Sequence, residues 1–347
     1  VSPGLTYAVI RSHALIGDLL TPEQMRALAL SDSLEAFIKR LSETPYGGIS
    51  FETVGDLSIA LEKVFYRKFI ERMARIVDIA PKTIAEFLRA YYYMRFEVLN
   101  LKRILRGKFS GIPAPQIMDS LVPIESYHAG DFRGLAEAET LEGVVEMLMG
   151  TPYSTLAASV ELYKRFGALW PLELALNHIY ATTILRAVEG LPRWDRALVR
   201  WIVELETDIE NLLIAVKQRR ASEDISRARR LDDLFPVTYH IGLDKIREVV
   251  EARDIKPVIS EIGSPYSEIL APLYEGDVAL IRTRLRQHIY RTARQGRSVN
   301  DFGFNVTMAY LVFCEIEKDD LVGIAWGKAQ GIPSEDILKY LVVPHSI

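Results

Sequence analysis

The sequence predicts an all-α protein built as three tandem helical domains of similar fold. Helical apolar periodicity over most of the chain, a near absence of alternating β patterns and a set of landmarks that returns three times all point this way. Thr44-Pro45-Tyr46 recurs as Thr151-Pro152-Tyr153 and as Ser264-Pro265-Tyr266. An acid-x-x-Asn/Asp-Leu pattern follows each time: Glu97 to Asn100-Leu101, Asp208 to Asn211-Leu212, and Glu317 to Asp320-Leu321. From Tyr to Asn or Asp the spacing is 54, 58 and 54 residues. Gly111-Ile112-Pro113 and Gly331-Ile332-Pro333 follow in the first and third copies, and Leu121-Val122-Pro123, Leu234-Phe235-Pro236 and Leu341-Val342-Val343-Pro344 close the three units. A period near 110 residues is too long for a solenoid repeat and fits a small domain. The expected boundaries are 1–120, 121–233 and 234–347.

Each element has a local cause. Thr21-Pro22-Glu23-Gln24 supplies an N-cap, a proline for the first turn and a capping-box Gln, and Asp32 with Glu35 is expected to repeat the box for the next helix. After Gly47-Gly48, the residues Leu57, Leu61, Val64, Phe65, Met73 and Ile76 mark one stripe of a long helix that ends or restarts at Pro81. Ile84, Phe87, Leu88, Tyr91, Leu99, Leu101 and Leu105 mark a second, which carries Glu97 and Asn100 and is expected to stop at Gly107 and pack antiparallel to the first. The middle unit repeats the plan near 155–190, interrupted at Pro171, and 195–220; the third uses about 276–296 and 303–328. Only the Leu-Val-Pro closers are candidates for extended chain.

Composition suits a packed protein: 49% of residues are apolar and 25% charged, so each unit can form a core. The single Cys314 sits in the apolar run Tyr310-Leu311-Val312-Phe313 and reads as an inert core thiol, compatible with a reducing compartment. No apolar run approaches the ~18 residues of a membrane span and no signal-like start is present, so the chain is expected to be neither embedded nor exported. The net charge of −4 is unevenly spread: divided at Gly111 and Leu234, the units carry +4, −6 and −2. Copies that share a fold but differ in charge face different surroundings.

Motifs for chemistry are scarce. The chain has no P-loop and no dinucleotide fingerprint, and its histidines (His13, His128, His178, His240, His288, His345) never take the helical spacing of a metal site, so no cofactor and no metal are expected. His128 and His240 each follow a Tyr shortly after a closing Pro, which favours a structural hydrogen bond over proton transfer. The acid-x-x-Asn/Asp pattern could in principle bind a cation or act as a general base. Its recurrence in every copy, inside amphipathic helices, favours buried carboxylates satisfied by backbone N–H groups or an Arg, which fix the long helices against the Thr-Pro-Tyr turns. Tyr46, Tyr153, Tyr266, Glu97, Asn100, Asp208, Asn211, Glu317 and Asp320 are therefore the expected anchors of the repeat, and no residue is assigned to catalysis.

The sharpest surface feature is a basic helix with Arg282, Arg284, Arg286, His288, Arg291, Arg294 and Arg297 around an apolar stripe of Val278, Ile281, Leu285 and Ile289. It is a candidate partner surface for acidic protein or anionic headgroups, with a solvated helix face as the plain alternative. A second cluster spans Lys217, Arg219, Arg220, Arg227, Arg229 and Arg230. The acidic net charge and the lack of a recognition motif argue against nucleic acid as a partner.

Leu41-Ser42-Glu43-Thr44-Pro45-Tyr46-Gly47-Gly48, together with Phe96-Glu97-Val98-Leu99-Asn100-Leu101-Lys102-Arg103-Ile104-Leu105-Arg106-Gly107-Lys108, resembles the C subunit of archaeal-type and bacterial V-type rotary ATPases, whose counterpart in eukaryotic V-ATPases is the d subunit. The likeness spans nearly the whole chain. It departs in the third copy, where Asp320-Leu321-Val322-Gly323 replaces Asn-Leu-Lys, and in the middle copy, which lacks Gly-Ile-Pro. The resemblance implies a funnel-shaped, non-catalytic rotor part with pseudo-threefold symmetry on the cytoplasmic face of the membrane. Its implied partners are the D and F subunits of the central stalk, the membrane proteolipid ring and, as a further neighbour, the stator part of the membrane sector, with no small-molecule substrate. Torque would pass through it during ATP synthesis or ATP-driven proton or sodium transport. Two readings from other classes stand beside it: a helical scaffold or adaptor unrelated to rotary motors, and a helical carboxylate enzyme.

Overall fold

The computed structural model describes residues 3–48, 56–218, 235–299 and 302–346, and all regular structure among them is helical. Of the second basic cluster, Arg219, Arg220, Arg227, Arg229 and Arg230 lie outside the described residues, as does Leu234 of the middle closer. The chain forms two compact units, one of Val1–Glu86 with Glu268–Ile347 and one of Phe87–Ser267.

The first unit combines the beginning and the end of the chain. Its N-terminal part is α1 (Pro3–Ile16), α2 (Pro22–Ala29), α3 (Leu34–Leu41) and α4 (Leu57–Val77). The returning part runs from α14 (Tyr266–Leu270), which straddles the boundary, through α15 (Val278–Val299), α16 (Phe304–Ala329) and α17 (Ser334–Lys339); α5 to α13 are given below. Helix α16 is the hub, packed by α4, α15 and α1. It buries residues on every side, from Phe304 through the run Val306–Cys314 to Ala325, as expected of a helix without a polar face. Cys314 belongs to this core, where burial pushes its thiol up to about 12 and leaves it unreactive. Within this unit α4 packs on α16.

The second unit holds most of α5 (Lys82–Phe109), then α6 (Ala114–Ser120), α7 (Phe132–Glu137), α8 (Leu141–Met147), α9 (Ala157–Phe166), α10 (Trp170–Val188), α11 (Ala197–Gln218), α12 (Leu243–Glu251) and α13 (Ile255–Ile262). The expected break in the middle unit's first long helix falls at Gly167, which takes a left-handed φ of 60°, and Pro171 sits in the first turn of the resumed helix. Helices α10 and α11 pack on each other and α12 packs on α11.

Helix ends follow local chemistry with two departures from expectation. Thr21 caps α2 with the full reciprocal box to Gln24, but α3 is capped by Ser33, whose hydroxyl accepts the Ala36 N–H, and not by Asp32. Gly107 does not stop α5, which runs to Phe109. The stop is Gly111, at φ 67°, with Ile112 N–H donating to Gly107 O at 2.8 Å; Gly331, at φ 69°, and Ile332 repeat this on Gly327. Gly107 serves packing instead: a methyl group there would lie 2.5 Å from Ile117 Cγ1, and one on Gly327 would lie 2.7 Å from Ile337 Cδ1.

Candidate functional site

The acid, the Asn or Asp and the tyrosine of the repeat meet at three joints, each within one compact unit. The turn that delivers the tyrosine explains its residue types. Thr44 donates its hydroxyl to Leu41 O at 2.6 Å and accepts the Tyr46 N–H at 3.2 Å; Thr151 does the same with Leu148 O at 2.6 Å and the Tyr153 N–H at 3.1 Å. The intervening proline has no N–H to satisfy and fixes φ, so the ring leaves the turn in a set direction.

At the first joint, Glu97 on α5 is fully buried and accepts the N–H groups of Tyr127, His128 and Ala129 at 2.7, 2.8 and 2.8 Å, together with the Ser126 hydroxyl at 2.8 Å. Its other oxygen accepts the Tyr153 hydroxyl at 2.6 Å. At the second, Asp208 on α11 accepts from the N–H groups of Tyr239, His240 and Ile241 at 3.0, 2.8 and 3.1 Å and from the Tyr266 hydroxyl at 3.2 Å. At the third, Glu317 on α16 accepts the Tyr46 hydroxyl at 2.7 Å, the Leu20 N–H at 2.5 Å and Arg72 Nη1 at 2.6 Å. Each acid therefore holds the tyrosine of the next copy in sequence, and the acid of the last copy holds the tyrosine of the first.

The third joint differs for a geometric reason. Helix α1 runs up to the loop before Leu20, so the N–H groups of Asp18 and Leu19 bond back to Leu15 and Ile16 and are not available to Glu317. Arg72, buried in the middle of α4, replaces them, and its guanidinium also donates to the Tyr46 hydroxyl at 3.2 Å. A buried carboxylate needs such compensation, since an unpaired one costs several kcal/mol. The repeat landmarks leave Arg72 unassigned, and its place on the buried stripe Phe65, Phe69, Met73, Ile76 is the one signal of its role.

The Asn or Asp one turn on holds the closing segment. Asn100 accepts the Val122 N–H at 2.8 Å and donates to Val122 O at 3.1 Å, and Asn211 donates to Val237 O at 2.8 Å while its own oxygen meets His178 Nε2 at 2.9 Å. Asp320 accepts Val342 N–H at 3.0 Å on both oxygens and Val343 N–H at 2.7 Å. The first closer leaves its helix extended at Leu121, whereas the third turns into a 3-10 helix at Val343–His345, and neither is a strand.

The electrostatics follow burial. Desolvation pushes the Asp208 carboxyl upward, opposed by its three N–H donors and Tyr266. Desolvation drives Asp320 up to about 7, against the pull of the Val343 and Val342 N–H groups. The phenols of Tyr46, Tyr153 and Tyr266 are held far above their ordinary range by burial and the adjacent carboxylates, so they remain hydrogen-bond donors. Burial depresses the His178 imidazole, with Asn211 opposing. His178 lines a cleft of about 390 Å³ with Trp170, Leu174, Thr182 and Pro236, whose other walls are mostly apolar. No group of His, Cys, Asp and Glu able to hold a metal ion occurs among the described residues.

The arginine helix α15 presents most of its cations to solvent. Arg282, Arg284, Arg291 and Arg294 are exposed and Arg297 half-buried, while Arg286 pairs with Asp319 at 3.2 Å and Arg294 donates to Ser346 O at 2.5 Å. Ile281 and Ile289 are buried on its inner side. This face and the joints are separate features: the joints are closed to solvent, whereas the face is open.

A family model described as ATP synthase (C/AC39) subunit matches residues 8–340. The chain belongs to the ATP synthase (C/AC39) subunit family. Relatives across the same span are named as the C subunit of A-type ATP synthase. That of Methanocaldococcus jannaschii is 25% identical over 97% of this chain and 86% of its own length, and that of Methanothermobacter thermautotrophicus 27% over 96% and 87%. A third, from Thermococcus gammatolerans, is 24% identical over 96% of this chain and 88% of its own length. The reading of an adaptor unrelated to such machines is set aside by this match. As a member of the C/AC39 family the chain is part of an ATP synthase, and no helix among its described residues is long and apolar enough to cross a membrane.

Proposed function

We propose that this chain is the non-catalytic socket of a rotary ATPase, joining the D and F subunits of the central stalk to the membrane proteolipid ring on the cytoplasmic face. The observation that carries the reading is the use made of the carboxylates. Glu97, Asp208 and Glu317, the best candidates for chemistry, are each sealed among N–H groups, a tyrosine hydroxyl or an arginine. A part that transmits torque needs stiffness, and close-packed helices tied by buried charge-assisted hydrogen bonds supply it. The three-domain division at 120 and 233, the funnel arrangement and the pseudo-threefold symmetry belong to this proposal, as does the stator part of the membrane sector as a neighbour.

The exposed arginines of α15 are the surface we assign to an acidic partner. Reversing Arg284, Arg291 and Arg294 to Glu is expected to weaken assembly, with the loss growing as ionic strength falls. The test of the whole reading is a pull-down of the intact chain with D and F and, separately, with the detergent-solubilised ring. Binding to both supports the socket; binding to neither refutes it.

A further inference from the structure

The cleft bordered by His178 belongs neither to the joints nor to the arginine face. It lies within the second unit, between α9, α10 and the stretch Pro236-Val237, and has a volume of about 390 Å³. Small-molecule sites span about 300–1,000 Å³. Its walls are mostly apolar, with Ala158 and Leu162 from α9, Trp170, Leu174 and Ile179 from α10, and Val237. No side chain of α9 is buried, so the apolar side of that helix is left bordering open volume. None of the described residues that line the cleft has an acidic, lysine or arginine side chain.

The polar groups on the α10 side are committed as acceptors. Asn211 donates its amide to Val237 O at 2.8 Å, so the oxygen it turns to His178 Nε2, at 2.9 Å, accepts, and Nε2 carries the imidazole proton. His178 is 5% exposed, and burial depresses its imidazole, which is neutral at pH 7. Its Nδ1 has no hydrogen-bond partner among the described residues and opens onto the cleft. One turn on, Thr182 spends its hydroxyl proton on His178 O at 2.8 Å, which leaves Oγ1 as a second acceptor. Buried polar atoms are paired in native structures, so a nine-tenths buried acceptor aimed into an apolar cleft calls for a donor there. Water supplies a donor, but about a dozen waters would be needed to fill the space against apolar walls.

We propose that this cleft binds an uncharged, largely apolar small molecule carrying a hydroxyl group, with the hydroxyl donating to His178 Nδ1 and the apolar body packed against Trp170 and Leu174. A carboxylate is disfavoured, because it would lose its water among apolar walls and meet two acceptors. An ammonium group would be stripped of water with no acidic side chain to pair it. The assignment goes beyond the proposed function and does not depend on it.

The test uses three probes that share one ring system and differ in donor and charge: 2-naphthol, naphthalene and 2-naphthoate. Each is titrated into the intact chain by calorimetry at pH 7, and the Tm is recorded with and without it. The expected result is saturable one-to-one binding of 2-naphthol with a rise in Tm, binding of naphthalene at least tenfold weaker, and none of 2-naphthoate. Ala175→Phe sets a ring into the cleft without removing a hydrogen bond, and should abolish 2-naphthol binding while the circular dichroism of the chain stays unchanged. His178→Phe keeps a ring but removes Nδ1, and should bring 2-naphthol and naphthalene to the same affinity. Should that variant fail to fold for want of the Asn211 contact, Ala175→Phe still decides. Equal affinity of the parent chain for 2-naphthol and naphthalene, preference for 2-naphthoate, or binding that survives Ala175→Phe overturns the assignment. Absence of both heat and Tm shift with all three probes, the result for a cleft that holds water only, overturns it as well. Each of these outcomes leaves the proposed function standing.

Discussion

Asp320 stands where the other two copies have asparagine, and replacing it with asparagine isolates the cost of that charge. The carboxyl is buried and driven up to about 7 by desolvation, from an ordinary value of 3.8. In the unfolded chain it ionises near pH 4. Between these values the folded state keeps a proton that the unfolded state has lost, so the stability this group contributes is present at low pH and falls as pH rises through about 7. At ~1.4 kcal/mol per pH unit the full loss is about 4 kcal/mol. Asparagine escapes that loss but gives up the second oxygen that accepts from Val343, worth about 1 kcal/mol. Asp320→Asn should therefore gain roughly 2–3 kcal/mol at pH 8.5 and almost nothing at pH 4. For a unit of this size the gain corresponds to a rise in Tm on the order of 5–10 °C. Calorimetry of both proteins at the two pH values decides the matter. A Tm difference that is absent at pH 8.5, or the same at both pH values, refutes the reasoning.

Other perturbations probe the joints and corners. Replacing Tyr153, Tyr46 or Tyr266 by Phe removes one hydroxyl donor from a buried carboxylate and should cost about 1.5–3 kcal/mol each by chemical denaturation. The loss should be smallest for Tyr266→Phe, whose contact is the longest at 3.2 Å, against 2.6 Å for Tyr153 and 2.7 Å for Tyr46. Arg72→Met strands the Glu317 charge and should destabilise by about 3–5 kcal/mol. Adding Glu317→Gln to Arg72→Met should restore part of the loss in the same unfolding assay, which an effect of lost arginine packing alone would not. Gly107→Ala should cost about 1–3 kcal/mol through its clash with Ile117, and in an Ile117→Ala background, which lacks both Cγ1 and Cδ1, the same substitution should cost less, as read by comparing the Tm values of the single and double variants.

The all-helical class and most helix positions are legible in the sequence because they depend on local periodicity and capping. Thr21 with Gln24, and the proline-marked restarts of α5 and α10, behave as their local chemistry dictates. The departures have local competitors as their cause. Ser33 outcompetes Asp32 as a cap one residue away, and Gly107 resembles a stop although the left-handed residue four positions later ends the helix. The candidate anchors can be read as buried from their recurrence inside amphipathic helices. Their partners cannot be read, because Glu97 meets a tyrosine 56 residues away and Glu317 one 271 residues away, and no local pattern encodes such pairings. The packing of α4 on α16 is hidden for the same reason. Arg72 is visible only as a charge on an apolar stripe, a signal that becomes specific once its buried acid is known.

The central claim is that this chain couples stalk to ring, and coupling can be measured without assigning any single contact. Membranes containing the rotary complex would be prepared with and without this chain, and ATP hydrolysis and ion transport recorded on the same vesicles. The account predicts that loss of the chain abolishes ATP-driven transport while the catalytic head retains hydrolysis, and that adding back the purified chain restores transport. Transport that continues at the normal ratio to hydrolysis in its absence would contradict the account.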